Sequence, residues 1–272
     1  MACTACPWPL PPPEPRLAPG EVHLWCAPLD LPAERIEGLR PFLAADERCR
    51  ADRFRTGQLR DRFIAARGLL RTVLSRYLGT APADMQFEYQ PHGKPVLAPS
   101  AAQPGLGFNI SHSHGLLLMA VAADLTLGID VEQVRPMRDL AGLVERFFAT
   151  EERQQWNGLR EADRLLAFFY GWTRKEAWLK ATGSGLSFPL DEFCVSLAPA
   201  EPARLISVRG STAEAAAWQV RSYDLGGPGW NLPPSATRRH LSRTVEEPCP
   251  GYVAALAVRA ERVEVLHWRL ES

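Results

Sequence analysis

The sequence predicts an α+β protein built as a pseudo-dimer: two similar α+β halves packed together, with a ligand site at the seam between them. Three observations carry that expectation. A long helical pattern followed by strand-like runs occurs twice in the same order. The segment ARGLLRTVLSRYLG (66–79) matches YGWTRKEAWLKATG (170–183) in shape and length. The hairpin-like GLLLMAVAADLTLGIDVE (115–132) matches GYVAALAVRAERVEVLHW (251–268), each a run of small and branched apolar residues, a charged turn, then alternation.

Each element follows from local chemistry. Residues 1–20 are rich in proline and read as an irregular tail. In the first half, 21–124, Leu59, Phe63, Ala66, Leu70, Val73 and Tyr77 recur at intervals of three and four, with Gly79 past the end, which predicts one long helix. Strand-like runs follow at 107–111 and 116–122. In the second half, 125–272, Thr150 is placed to cap a helix opening with Glu151 and Glu152, where carboxylates suit the helix dipole. A further helix is expected from about 159 to 181, broken by Gly183 and Gly185. Strands are expected at 193–197, 205–208, 218–223, 252–258 and 263–268, with a long loop over 225–250.

Composition excludes several classes. The 31 basic and 31 acidic residues cancel, so no global field draws nucleic acid or a membrane. The most apolar stretch, 116–131, contains Asp124 and Asp130 and is too short and too charged to span a bilayer. No basic region precedes an apolar run at the N-terminus, so a cytoplasmic location is the expectation. The six cysteines include one CxxC, Cys3 and Cys6, with no second pair to complete a zinc set; they read as free thiols in a reducing compartment. Charge is uneven locally. Between Arg48 and Arg76 nine arginines face Asp52 and Asp61, a net +7 that is either a solvated helix face or a seat for an anion.

Four segments carry candidate chemistry. In Gly128-Ile-Asp130-Val-Glu132, residues two apart on a strand project to one face, so Asp130 and Glu132 emerge together. Paired carboxylates need a cation or a shared proton, and hard oxygens suit magnesium; the alternative is a solvated edge strand. In the helix 172–180, Trp172, Glu176 and Lys180 share one face. Glu176 is then either a third carboxylate with a lysine beside it for a phosphate, or half of an exposed Glu–Lys pair. In Phe108-Asn109-Ile-Ser111-His112, Ser111 and His112 are adjacent on a strand and point to opposite faces, which rules against a nucleophile–base pair. Asn109, Ser111 and His112 suit phosphate binding better. Lys94, in Gly93-Lys94-Pro95, is a cation held in a stiff turn.

In this order, GKP, FNISHS, GIDVE and WTRKEAWLK resemble the Sfp-type 4′-phosphopantetheinyl transferases, clearly over about residues 20–200. The resemblance implies that Asp130, Glu132 and Glu176 are ligands of Mg2+, and that Glu176 helps deprotonate an acceptor serine. It implies that Lys180 contacts the coenzyme A pyrophosphate, that Lys94 lies near the nucleotide, and that Ser111 and His112 lie near its phosphates. Arg53, Arg55 and Arg60 become candidates for the 3′-phosphate. The reaction implied is transfer of the 4′-phosphopantetheine arm from coenzyme A to a serine of an apo acyl or peptidyl carrier protein, releasing adenosine 3′,5′-bisphosphate. The first half would bind the nucleotide and the second would hold the metal and the catalytic helix. A monomer suffices, because both halves are in one chain. Two other readings share these residues: a magnesium-dependent nucleotide pyrophosphate hydrolase, and a non-catalytic coenzyme A-binding module.

Overall fold

The computed structural model describes residues 8–90, 93–99, 105–199, 201–225 and 251–270. The expectations for Cys3, Cys6, Cys249, residues 1–7 of the tail and the loop beyond Leu225 fall outside these residues. The chain forms two compact units, 1–127 with 263–272, and 128–262.

Unit 1 holds a four-stranded sheet in the order β11-β1-β5-β4. Its strands are β1 (Glu21–Pro28), β4 (Leu106–Ser113), β5 (Leu116–Ala123) and β11 (Glu264–Arg269). β4 and β5 form an antiparallel hairpin with Ser111 opposite Leu118, β5 runs antiparallel to β1, and β11 runs parallel to β1 with Val22 opposite Val265. The C-terminal strand, expected with the second half, therefore belongs to the first sheet. Three helices pack here: α1 (Ala33–Leu39), α2 (Ala45–Ala51) and α3 (Gly57–Leu78). A short antiparallel pair, β2 (Phe87–Tyr89) and β3 (Pro95–Leu97), completes the unit.

Thr56 Oγ1 caps α3 by accepting from Leu59 N (3.4 Å), and Gly79 ends it in the left-handed region at φ 64°. The buried stripe runs from Ile64 to Leu74 and packs on Trp25, Leu117 and Met119. Leu59, expected to open that stripe, is instead 48% exposed, because the first turn of the helix projects past the sheet.

Unit 2 opens with the same order, one strand, three helices and a short strand pair, and then inserts a helix. It contains β6 (Leu127–Gln133), α4 (Leu140–Phe147), α5 (Thr150–Gly158) and α6 (Glu161–Thr182). Then come β7 (Phe193–Val195), β8 (Leu205–Val208), α7 (Thr212–Ala216), β9 (Trp218–Leu225) and β10 (Tyr252–Arg259). The sheet order is β6-β10-β9, with β7 and β8 forming a separate antiparallel pair. Helix α6 has 22 residues, as α3 does, and Gly183 ends it at φ 72°. Thr150 is the first residue of α5 rather than its cap. The capping group is Glu152, which accepts from Ala149 N (2.7 Å).

The repeat extends to buried charge. Glu47 accepts from Ala44 N (2.9 Å) at the start of α2 and pairs with Arg71 on α3 (2.8 Å). Glu152 does the same at the start of α5 and pairs with Lys175 on α6 (2.8 Å). A buried ion pair is least costly when further hydrogen bonds surround it, and both cations here make them. Arg71 also donates to Pro82 O and Met85 O, and Lys175 to Leu190 O and Phe193 O. Each pair therefore pins a long helix to its neighbours. No helix among the described residues is long and apolar enough to cross a membrane. Cys26, Cys49 and Cys194 are free thiols.

Candidate active site

Strand β6 alternates as its sequence requires. Ile129 and Val131 are fully buried on one face; on the other, Asp130 is also buried and Glu132 is half-buried. Gly128 has a separate task. A methyl group there would overlap the backbone of α6 at Ala177 O and Ala181 N. Only glycine lets the strand lie directly against the turn of helix that carries Glu176 and Lys180. Sequence reading gave Gly128 no role, because close backbone approach leaves no mark in a pentapeptide.

The charges converge as that packing implies. Lys180 Nζ donates to Asp130 Oδ1 at 2.6 Å, and Arg135 Nη1 lies 3.5 Å from Glu132 Oε2. Burial pushes the Glu176 carboxyl up from its ordinary value. The charges of Asp130 and Glu132 push it further the same way, against the pull of Lys180. The three predicted carboxylates thus share one electrostatic environment, built from β6 and α6 within unit 2. Among the described residues no group of three His, Cys, Asp or Glu side chains stands ready-made as a metal cage. The ammonium of Lys180 sits on Asp130 instead. The donor set still fits magnesium: three hard carboxylate oxygens whose mutual repulsion a divalent cation would relieve.

The helix is held from behind. Lys175 is 0% exposed and enclosed by Glu152, Leu190 O and Phe193 O. Arg174, also buried, donates to Ser196 O (2.5 Å) and to Ser222 Oγ on β9 (2.9 Å), and lies 5.0 Å over the Tyr170 ring. Desolvation brings its guanidinium down to about 10. Neither residue has a role that the sequence alone assigns. For Arg174 a signal was present: it sits four residues from both Tyr170 and Trp178, so two aromatic residues share its face of the helix. Trp172, on the face of Glu176 and Lys180, is half-buried and stacks on Phe168 at 5.9 Å.

The remaining candidates all lie in unit 1. Asn109 and Ser111 are buried on one face of β4, and His112 is exposed on the other. The strand geometry therefore keeps Ser111 and His112 apart, as expected, and does not bring the three together as one cluster. Lys94 is half-buried beside the turn made by Gly93 at φ 79°. Arg53, Arg55 and Arg60 are exposed, and Arg60 pairs with Asp61 at 3.0 Å. The +7 stretch is less available than its sequence implies. Arg67 and Arg71 are buried on Glu47, and Arg62 holds Asp30 through two hydrogen bonds of 2.7 and 2.8 Å.

Comparison with known proteins agrees with these motifs. Residues 33–139 match the family described as 4′-phosphopantetheinyl transferase, N-terminal, and residues 126–232 match the 4′-phosphopantetheinyl transferase superfamily. The chain is 44% identical over 194 residues to 4′-phosphopantetheinyl transferase HetI of Nostoc sp., covering 71% of this chain and 81% of that protein. It is 32% identical over 167 residues to 4′-phosphopantetheinyl transferase ffp of Bacillus subtilis, and 30% identical over 167 residues to Sfp of Bacillus subtilis strain 168. Each of those two matches covers 61% of this chain and 72% of the relative.

Proposed function

The chain belongs to the 4′-phosphopantetheinyl transferase superfamily, and from that premise we propose that it moves the 4′-phosphopantetheine arm of coenzyme A onto a serine of an apo carrier protein at a site centred on Asp130, Glu132, Glu176 and Lys180. One observation carries the assignment of the site: the strand bearing Asp130 and Glu132 lies at Gly128 directly against the turn of α6 that bears Glu176 and Lys180, with the lysine seated on Asp130.

Asp130, Glu132 and Glu176 are the groups that would hold Mg2+. When bound, the cation supplies positive charge for the pyrophosphate and for the charge that develops on it. The other work falls to the chain. A serine hydroxyl is a weak nucleophile near neutral pH, so its proton needs an acceptor. Glu176, whose carboxyl is raised by burial and by its acidic neighbours, is the group we assign to receive it. The serine oxygen forms a bond to the β-phosphorus of coenzyme A, and the bond from that phosphorus to the bridging oxygen breaks. Adenosine 3′,5′-bisphosphate leaves with the electron pair. Lys180 is placed to balance the charge on the departing phosphate.

The same reading assigns the nucleotide to Lys94, Asn109, Ser111 and His112, with the 3′-phosphate near Arg53, Arg55 and Arg60. Both halves then serve one reaction, and the repeated order of elements supports the pseudo-dimer description. A monomer in the cytoplasm is the simplest form consistent with three free thiols.

The test is intact-protein mass spectrometry of an apo carrier incubated with the chain, coenzyme A and Mg2+. The expected result is a gain of one phosphopantetheine arm, abolished by a chelator. Consumption of coenzyme A with no gain on any carrier would replace the transferase by a pyrophosphate hydrolase. Coenzyme A that binds and stays intact would leave a binding module.

A further inference from the structure

Helix α6 carries two lysines five residues apart in opposite situations. Lys175 is completely enclosed, with Glu152 and two carbonyls around its ammonium. Lys180 reaches Asp130 with a side chain that is still 29% exposed, while the Asp130 side chain is 6% exposed. The first cannot leave without unmaking the core. The second can swing into solvent by side-chain rotation alone, because the strand and helix backbones are locked together at Gly128.

Resting on the site reading above, we infer that Lys180 is a displaceable counter-ion: it occupies Asp130 Oδ1 in the ligand-free protein and is handed over to the substrate phosphate when a divalent cation takes that oxygen. Three considerations support this. A carboxylate as buried as Asp130 is costly to keep charged without a partner, so something must hold it ready before any cation arrives. Without Lys180 the three carboxylates of this strand–helix contact would be faced only by Arg135, 3.5 Å from Glu132, among the ion pairs described above. The choice of residue also matters. Only three of the 31 basic residues in the chain are lysines: Lys94, Lys175 and Lys180. An arginine would grip a carboxylate with a two-pronged fork, whereas an ammonium is a point charge on a flexible stem that releases one oxygen and turns to another.

The scarcity of lysine makes the test clean. The full chain, without coenzyme A, is reductively methylated with and without Mg2+, and the rate at each lysine is read by peptide mass spectrometry. Lys175 should remain unmodified throughout and reports that the fold is intact. Adding Mg2+ should speed modification of Lys180 about fivefold while leaving Lys94 unchanged. In Asp130→Asn, Lys180 should react at the faster rate with no Mg2+ present. By calorimetry with Mg2+ alone, Lys180→Met should bind about fivefold more tightly than wild type, and Lys180→Arg should not. Metal-dependent transfer in a protein whose Lys180 rate ignores Mg2+ would overturn the handover and leave the site standing. Transfer that persists in excess chelator would remove the site reading itself, and the handover with it.

Discussion

The two units of this molecule each carry a 22-residue helix and differ in what that helix bears. Helices α3 and α6 have equal length, end in a left-handed glycine and carry a buried cation eight residues before that glycine, Arg71 and Lys175. One residue further on, the copies part. Unit 1 has Thr72, whose hydroxyl only donates back to Gly68 O at 2.8 Å, and unit 2 has Glu176. Four residues on, Arg76 lies 5.4 Å over the Trp25 ring, whereas Lys180 holds Asp130. The strand that follows each hairpin differs in the same way. Aligning 115–132 with 251–268 sets Leu266 and Trp268 of β11 against Asp130 and Glu132 of β6. The buried Glu–cation pair is present in the half without the carboxylates. It is therefore part of the scaffold and not of the chemistry.

The sharpest break of the comparison is at matching helix positions. Glu176→Gln removes one charge without changing size and should lower transfer about 10³-fold. Its melting temperature should stay level or rise, because the repulsion from Asp130 and Glu132 is relieved. Thr72→Val, at the equivalent place in unit 1, should change transfer less than about twofold. A steady-state assay and a thermal melt on the two variants decide it. Comparable losses in both would mean that the first copy is not inert.

The buried pairs should behave alike where the carboxylates do not. Glu47→Leu strands Arg67 and Arg71 in the core and Glu152→Leu strands Lys175, and each should cost about 3–5 kcal/mol by denaturant unfolding. A large difference between them would show that the pairs are not equivalent parts of one repeated scaffold. These pairs also mark where sequence reading stopped. The long helices, the alternation of β6 and the ordered acidic motif were legible, because period and spacing are local properties. The burial of Arg174 and Lys175 was not, because a charge is read as solvated until its partner is known, and Glu152 is 23 residues away. Nor was the place of β11, since parallel pairing with β1 joins opposite ends of the chain and depends on no local signal.

Glycine at the strand–helix contact separates the halves by a smaller amount. Gly128→Ala should force β6 off α6, costing about 1–3 kcal/mol and a larger share of transfer than of stability, because it moves Asp130 away from Glu176. The position aligned with it in unit 1 is Glu264, exposed on β11, and Glu264→Ala should be within about 0.5 kcal/mol of wild type. Full activity in Gly128→Ala would mean that the contact does not set the site.

The smallest effect expected belongs to unit 1 and has no counterpart in unit 2. His23 is completely buried on β1, with Nδ1 2.8 Å from the Tyr77 hydroxyl on α3, the Trp268 ring of β11 edge-on at 6.1 Å, and Glu21 Oε2 3.5 Å from Nε2. Burial holds its imidazole below the usual histidine value, and Glu21 offsets only part of that. The folded state therefore resists a proton that the unfolded chain accepts. Above about pH 6.5 both states are neutral at this residue and it contributes no pH dependence. As pH falls below that value, the unfolded chain is favoured, with a slope of at most about 1.4 kcal/mol per pH unit until the folded state also protonates. Unfolding at pH 7 and at pH 5.5 should show a loss of about 1 kcal/mol in wild type that is absent in His23→Gln. If the two proteins lose stability in parallel over that window, His23 takes up a proton as readily in the fold as in the unfolded chain, and Glu21 fully offsets the effect of burial.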